Sequence, residues 1–385
     1  MSETIPLDPE QLIAAARSAT GLYDFDELTL DEPLARLTAA LNTEAGLNAA
    51  GRRTWHDRLF NILITRLRAQ DWFRRHPEIL QEPLAPAIVI LGLPRTGTTL
   101  LQRLIASDSR IHSAAWWENR FPVPLPDDPG DRRRRAAGVA EVKRILDAMP
   151  LLASIHPWDA LAADEDILLL DQTLFSTTSE TMAHVPSYHR WLTQQDLRPA
   201  YSYWKKLLQF LQWQQRRRGQ RGERWVLKTP MHLGYVEVID ELLPEALFVQ
   251  THRDPLVTIP SYASMIHFQC LLGSDRSDPL AAGRLAADTL SAHLARCMLV
   301  RDSLPAEKFI DVDFRDITRD PVALIERIYG HIGMPMTSTA RGLIEAYRDT
   351  NPREGRPPHA YTLGEFGFSE QGLQSLFLEY RQRYL

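Results

Sequence analysis

Eight consecutive residues, Gly92-Leu93-Pro94-Arg95-Thr96-Gly97-Thr98-Thr99, have the types that a phosphate cradle needs. Glycines at 92 and 97 admit backbone angles and a close approach that a side chain would block. An apolar, β-prone run, Ala87 to Leu91, precedes the loop. Leu100, Leu101, Leu104 and Ile105 follow it at helical spacing. Strand, glycine loop and helix in that order aim loop N–H groups and the positive end of a helix at one point, which suits an anion. The spacing is that of a P-loop, but Thr98 stands where a nucleoside triphosphatase carries Lys, and the cation lies inside the loop as Arg95. The loop therefore reads as an anion site that is not built for a Mg-triphosphate.

Two more cations stand at the ends of apolar runs. Lys228 closes the run Arg224 to Lys228, and Arg253 follows the run Ala246 to Gln250. Asp254 is placed to cap a helix with Pro255 at its first position. Ser261 lies eight residues beyond Arg253, and Pro260 is expected to kink that helix. With Ile310 to Val312 as a further strand, strands alternate with helices along residues 87–312. That alternation predicts an α/β fold, a P-loop-like parallel sheet flanked by helices. Ligands of such sheets bind at the carboxyl ends of the strands, where Arg95, Lys228 and Arg253 all fall.

The elements that must position these residues include a helical N-terminal region. A helix capped by Asp8 runs through Arg17. Leu34, Leu37 and Leu41 mark a second, with Pro33 near its start. Trp55, Leu59, Ile62, Leu63 and Leu67 mark a third, from Thr54 to Arg74. Pro77, Pro83 and Pro86 close the region. The expected division is residues 1–84, helical, and 85–385, the α/β domain. The N-terminal faces read as packing surfaces, with a lid or acceptor-pocket role as the alternative.

Further along, Arg132 to Arg135 reads as a solvated helix face or loop. A helical pattern resumes to Met149, and Tyr201 to Gln215 reads as an aromatic-rich core helix. Asp164-Glu165-Asp166 reads as a solvated acidic helix start, and no metal-ligand spacing accompanies it or His156.

Composition narrows the function classes. The chain has 385 residues and a net charge of −5, so bulk attraction to nucleic acid is not expected. Two cysteines, Cys270 and Cys297, make neither a disulfide framework nor a zinc pattern. No signal-peptide pattern opens the sequence, and no apolar run reaches the ~20 residues of a membrane span. A cytoplasmic setting with no stable membrane anchor is the expectation.

Taken together these segments resemble the sulfotransferases that use 3′-phosphoadenosine 5′-phosphosulfate (PAPS), and the helical N-terminal region is similar to that of a bacterial branch. Pro94-Arg95-Thr96-Gly97-Thr98-Thr99 resembles the family's 5′-phosphosulfate loop, and Arg253 with Ser261 resembles its 3′-phosphate clamp. Lys228 in Leu-Lys-Thr resembles the lysine near the sulfonate. The resemblance covers roughly residues 86 to 335 and extends less securely to His359-x-Tyr361 and Phe366-Gly367. It implies PAPS as donor, 3′,5′-diphosphoadenosine as product, and no metal.

The resemblance implies a proton acceptor either shortly after the lysine or beyond the loop helix. In this chain Pro230 occupies the usual histidine position and His232 lies two further on. Glu118 lies 23 residues after Arg95, behind Trp116 and Trp117, whose indoles would desolvate it and raise its pKa. Both stay open as the base, with Glu118 preferred. Phe314 replaces a tyrosine frequent in the family and reads as core rather than as an adenine contact. The implied reaction moves a sulfonate to an acceptor hydroxyl or amine. The acceptor is a small molecule, and Trp116, Trp117 and Trp158 suit an apolar or aromatic alcohol unless they are core. The alternatives are a small-molecule kinase with a degenerate P-loop and a non-catalytic nucleotide-binding protein of the same fold.

Overall fold

The computed structural model describes residues 6–351 and 360–385; His359 lies outside them. Five strands form one parallel sheet: β1 (Ala87–Gly92), β2 (Ile111–His112), β3 (Arg224–Lys228), β4 (Leu247–His252) and β5 (Phe309–Asp313), in the order β2-β3-β1-β4-β5. Side chains alternate across a strand. Ile88 and Ile90 accordingly join one apolar cluster, with Val226, Val249, Leu104 and Ile325. Val89 and Leu91 join the other, with Leu227 and Phe248. Helices cover both faces, as expected of an all-parallel sheet.

The N-terminal helices Pro9–Thr20, Asp31–Thr43 and Ala49–Arg75 match the sequence reading closely. Asp8 caps the first by accepting from Gln11 N at 2.8 Å. Leu37, Leu59 and Leu63 are buried in the same apolar cluster as Val89 and Leu91, so this region packs directly onto the sheet's layer.

Register places the strand ends side by side. Ile90 pairs with Lys228, Gly92 with Thr251, and His252 with Asp313. β1 is central: the chain runs from it to the edge strand β2, returns to β3 beside it, and then crosses to β4 and β5 on its other side. The loop after β1 therefore sits at the point where strand order reverses, the favoured ligand position in open sheets.

Candidate active site

A cleft of about 530 Å³ opens over these strand ends. Arg95, Gly97, Thr98, Thr99, Arg253 and Ser261 all line it. The loop helix, Thr98–Ala106, starts at Gly97, whose φ of 87° lies in the left-handed region. A Cβ there would stand 3.0 Å from Ile317 and 3.2 Å from Phe314. Arg95 also has positive φ, 71°, a costly backbone state for a residue with a side chain. Thr96 behaves differently from its neighbours. Its side chain is buried, its hydroxyl lies 2.6 Å from that of Thr251, and it donates to Leu93 O at 2.6 Å. Only its backbone is left to serve an anion.

The second cation is tied to the first. Arg253 Nη1 donates to the carbonyl oxygen of Arg95 at 2.8 Å. Its guanidinium also lies over the Phe314 ring, 4.1 Å from the centroid. Phe314 is half-buried and lines the cleft, so the expectation of a core ring is corrected. The ring has risen to the cleft wall because β5 ends at Asp313, which caps the following helix by accepting from Arg315 N. The Arg253 helix, Pro255–Leu271, is capped by Asp254, continues through Pro260, and presents Ser261 to the cleft.

Lys228 occupies the floor with no exposed side-chain surface. Its Nζ donates to Glu165 Oε1 at 2.7 Å and to Thr99 Oγ1 at 3.1 Å. Thr229 Oγ1 donates to Glu165 Oε2 at 3.3 Å. Glu165, a cleft residue, thus connects to the loop through one lysine.

Its two neighbours overturn the reading of a solvated acidic helix start. Asp164 and Asp166 are both buried. Asp164 accepts from Arg103 at 3.1 Å and lies 3.4 Å from His156 Nε2. Asp166 accepts from the Lys228 backbone N–H at 2.7 Å, Trp204 Nε1 at 2.8 Å and His232 Nε2 at 2.9 Å. Burial pushes the Asp166 carboxyl up, but His232 and these donors outweigh it and hold it below the usual range. Asp164 is held low in the same way: burial is opposed by His156, then Lys228 and Arg103. Two buried anchors therefore fix the residue between them.

Neither residue expected from the sequence to act as the base reaches the cleft. Glu118 Oε2 accepts from its own helix start, Ala115 N, at 3.0 Å, and Oε1 pairs with Arg218 at 2.6 Å. The five-residue helix Trp116–Arg120 turns this carboxylate back on itself, away from the sheet ends. His232 is fully buried between Asp166 and the Tyr201 hydroxyl, 3.0 Å away. Of the tryptophans, Trp116 and Trp158 line the cleft, whereas Trp117 packs under Arg134. Arg134 is itself buried and holds Phe121 O and Gln214, so the run 132–135 is not uniformly solvated.

A model of the sulfotransferase family matches residues 86–338. The chain belongs to the sulfotransferase family. The fold is shared along nearly the whole chain with the solved sulfotransferase STF1 from Mycobacterium tuberculosis, at 29% identity and a TM-score of 0.83, covering 98% of this chain and 100% of that one. Sulfotransferase STF9 from Mycobacterium avium aligns at 27% identity with a TM-score of 0.86, covering 100% and 97%. The omega-hydroxy-beta-dihydromenaquinone-9 sulfotransferase Stf3 of Mycobacterium bovis is 25% identical over 265 residues, 65% of this chain. The match spans 63% of that relative's length. The expected family and the parallel-sheet fold are thereby established, and no helix among the described residues is long and apolar enough to cross a membrane.

Proposed function

We propose that this sulfotransferase moves the sulfonate of PAPS to the hydroxyl of a small-molecule acceptor. One observation carries the reading: two cation-bearing anion positions, the Arg95 loop and the Arg253–Ser261 pair, share one cleft and are joined by the Arg253–Arg95 hydrogen bond. A donor with a phosphosulfate and a separate 3′-phosphate asks for that pair. The loop, through Arg95, the N–H groups of residues 96–99 and the hydroxyls of Thr98 and Thr99, suits the phosphosulfate. Arg253 and Ser261 suit the 3′-phosphate through charge-assisted hydrogen bonds.

The proton acceptor in this reading is Glu165. It faces the cleft, and its partner Lys228 also touches Thr99 of the loop. In the reaction the acceptor oxygen bonds to sulfur as the bond from sulfur to the bridging phosphate oxygen breaks. The acceptor proton passes to Glu165. Charge gathering on the departing phosphate oxygen is met by Lys228 Nζ and by the loop. Asp164 and Asp166 act as positioning residues, and residues 1–84 serve as a helical region packed on the 85–385 unit. A hydroxylated small molecule as acceptor is supported by the half-apolar cleft wall with Trp116, Trp158 and Met265, and by the hydroxy-dihydromenaquinone in one relative's name.

The test is calorimetry with 3′,5′-diphosphoadenosine, followed by transfer of labelled sulfonate from PAPS to a panel of alcohols. Micromolar-range binding that weakens sharply without the 3′-phosphate is the expected result. Equal affinity for adenosine 5′-monophosphate would overturn the clamp assignment.

A further inference from the structure

The cleft continues past the residues assigned to the donor along a wall whose further polar groups the proposed reaction does not use. Ser261, Met265 and Gln269 recur every four residues on the Pro255–Leu271 helix, and all three line the cavity. Eight residues of helix span about 12 Å, so Gln269 stands well away from the Ser261 end. Among the helices packed against this one are Thr178–Met182 and Pro279–Arg301. The second presents Thr289 and His293, four residues apart and hence on one face.

Four polar atoms on this wall are buried with no hydrogen-bond partner among the described residues: Thr178 Oγ1, Gln269 Oε1, Thr289 Oγ1 and His293 Nδ1. All four residues line the same cavity. Buried polar groups are nearly always satisfied, so four on one cavity wall call for a polar group brought in from outside. Two hydroxyls and an imidazole nitrogen can donate or accept, and the amide oxygen accepts. Burial, then Arg296 and His189 nearby, push the His293 imidazole down to about 4, so it is uncharged at neutral pH. The wall offers hydrogen bonds without a cation of its own.

We propose that this wall is a second recognition point for the acceptor, holding a neutral hydroxyl or carbonyl oxygen remote from the hydroxyl that takes the sulfonate. The inference rests on the sulfotransferase reading above. It makes the acceptor a bifunctional molecule, apolar between two polar ends, and makes chain length a determinant of specificity.

The experiment uses linear primary alcohols from hexanol to tetradecanol, each paired with its analogue carrying a ketone near the far end. Two quantities are measured for each pair: kcat/KM with labelled PAPS, and Kd by calorimetry on full-length protein saturated with 3′,5′-diphosphoadenosine. At one chain length the keto alcohol should be favoured by at least about fivefold, the size of one or two neutral hydrogen bonds. Thr289→Val and Thr178→Val, each removing a hydroxyl that can donate to the ketone, should each bring that ratio toward one, with His293→Phe as a third variant should either of them fail to fold. A ratio near one at every length in the wild type, or one that no variant moves, overturns the proposal. If the binding preference appears and responds to the variants while no alcohol is sulfonated, the recognition point stands and the transfer reading falls. Transfer without any preference has the opposite meaning.

Discussion

Lys228 Nζ lies 2.7 Å from Glu165 Oε1, and the same ammonium reaches Thr99 of the anion loop. The lysine is wholly buried, whereas the glutamate keeps a quarter of its side chain exposed. One charged pair thus spans the floor of the cleft and its open wall. In the proposed reaction the buried end would meet the charge gathering on the leaving phosphate oxygen, and the open end would meet the acceptor.

The first prediction separates the candidate bases. Glu165→Gln should lose about two orders of magnitude or more in kcat, the usual contribution of a general base, while still binding 3′,5′-diphosphoadenosine. Glu118→Gln should keep near-normal turnover, because its carboxylate is engaged by Ala115 and Arg218 outside the cleft. Single-turnover assays with saturating donor make the comparison. Normal turnover in Glu165→Gln would remove it from the chemistry.

Glu165 is not legible in the sequence, and the reason is physical. Three acidic residues before an apolar run satisfy a local rule for a solvated helix start, and no local feature contradicts it. The contradiction comes from Arg103, Trp204 and His232, which reach Asp164 and Asp166 from 38 to 66 positions away. Only the fold brings those partners together. The loop is legible for the converse reason: the glycines, Arg95 and the flanking strand and helix are contiguous, so a local pattern carries the whole of it. Arg253 and Ser261 are readable together because the end of β4 and the helix that follows it are contiguous in the chain, and both residues line the cleft. Glu118 lies at a suitable distance along the chain, but chain distance says nothing of direction. Its short helix turns the carboxylate onto its own first turn. Arg134 is hidden inside a run of four identical residues, and only the packing of its helix against Trp117 singles it out.

The second prediction concerns the clamp. Arg253→Ala should weaken 3′,5′-diphosphoadenosine by roughly 30- to 150-fold, corresponding to about 2–3 kcal/mol for a charge-assisted contact. The same variant should change the affinity for adenosine 5′-monophosphate far less. Phe314→Leu keeps the guanidinium but removes the ring beneath it, and should cost only about 0.5–2 kcal/mol of the same affinity. Calorimetry on both variants with both nucleotides tests the ordering.

The third prediction contrasts three arginines. Arg95→Ala should impair donor binding or transfer, whereas Arg133→Ala, on an exposed helix position, should affect neither activity nor stability measurably. Arg134→Ala should leave the chemistry alone but lower the melting temperature, because it strips hydrogen bonds from Phe121 O and Gln214 in a buried setting. Transfer assays and thermal melts on the three proteins distinguish a cleft cation, a solvated one and a structural one.

The last prediction is a pH dependence of stability. The Asp166 carboxyl is buried, and His232, the Lys228 N–H and Trp204 hold it below its ordinary value despite that burial. A carboxyl with a folded-state pKa below its unfolded one stabilises the protein at neutral pH. That contribution is intact above the unfolded value of about 3.9 and fades as pH falls through it toward the lower folded value. Asp166→Asn keeps an acceptor oxygen for the Lys228 N–H but removes the charge. It should therefore unfold about 1–3 kcal/mol more easily at pH 7, by the cost of weakening charged, buried hydrogen bonds. As pH falls below about 4 the wild type should lose stability faster than the variant, and the two denaturation curves should draw together toward the lower folded value. Asp164 is held low in the same way and remains in both proteins, so the difference between the curves isolates Asp166. Urea midpoints taken across that range decide the matter. A constant gap between wild type and variant would mean that Asp166 titrates alike in the folded and unfolded chains, and that its hold on Lys228 and His232 is one of shape rather than charge.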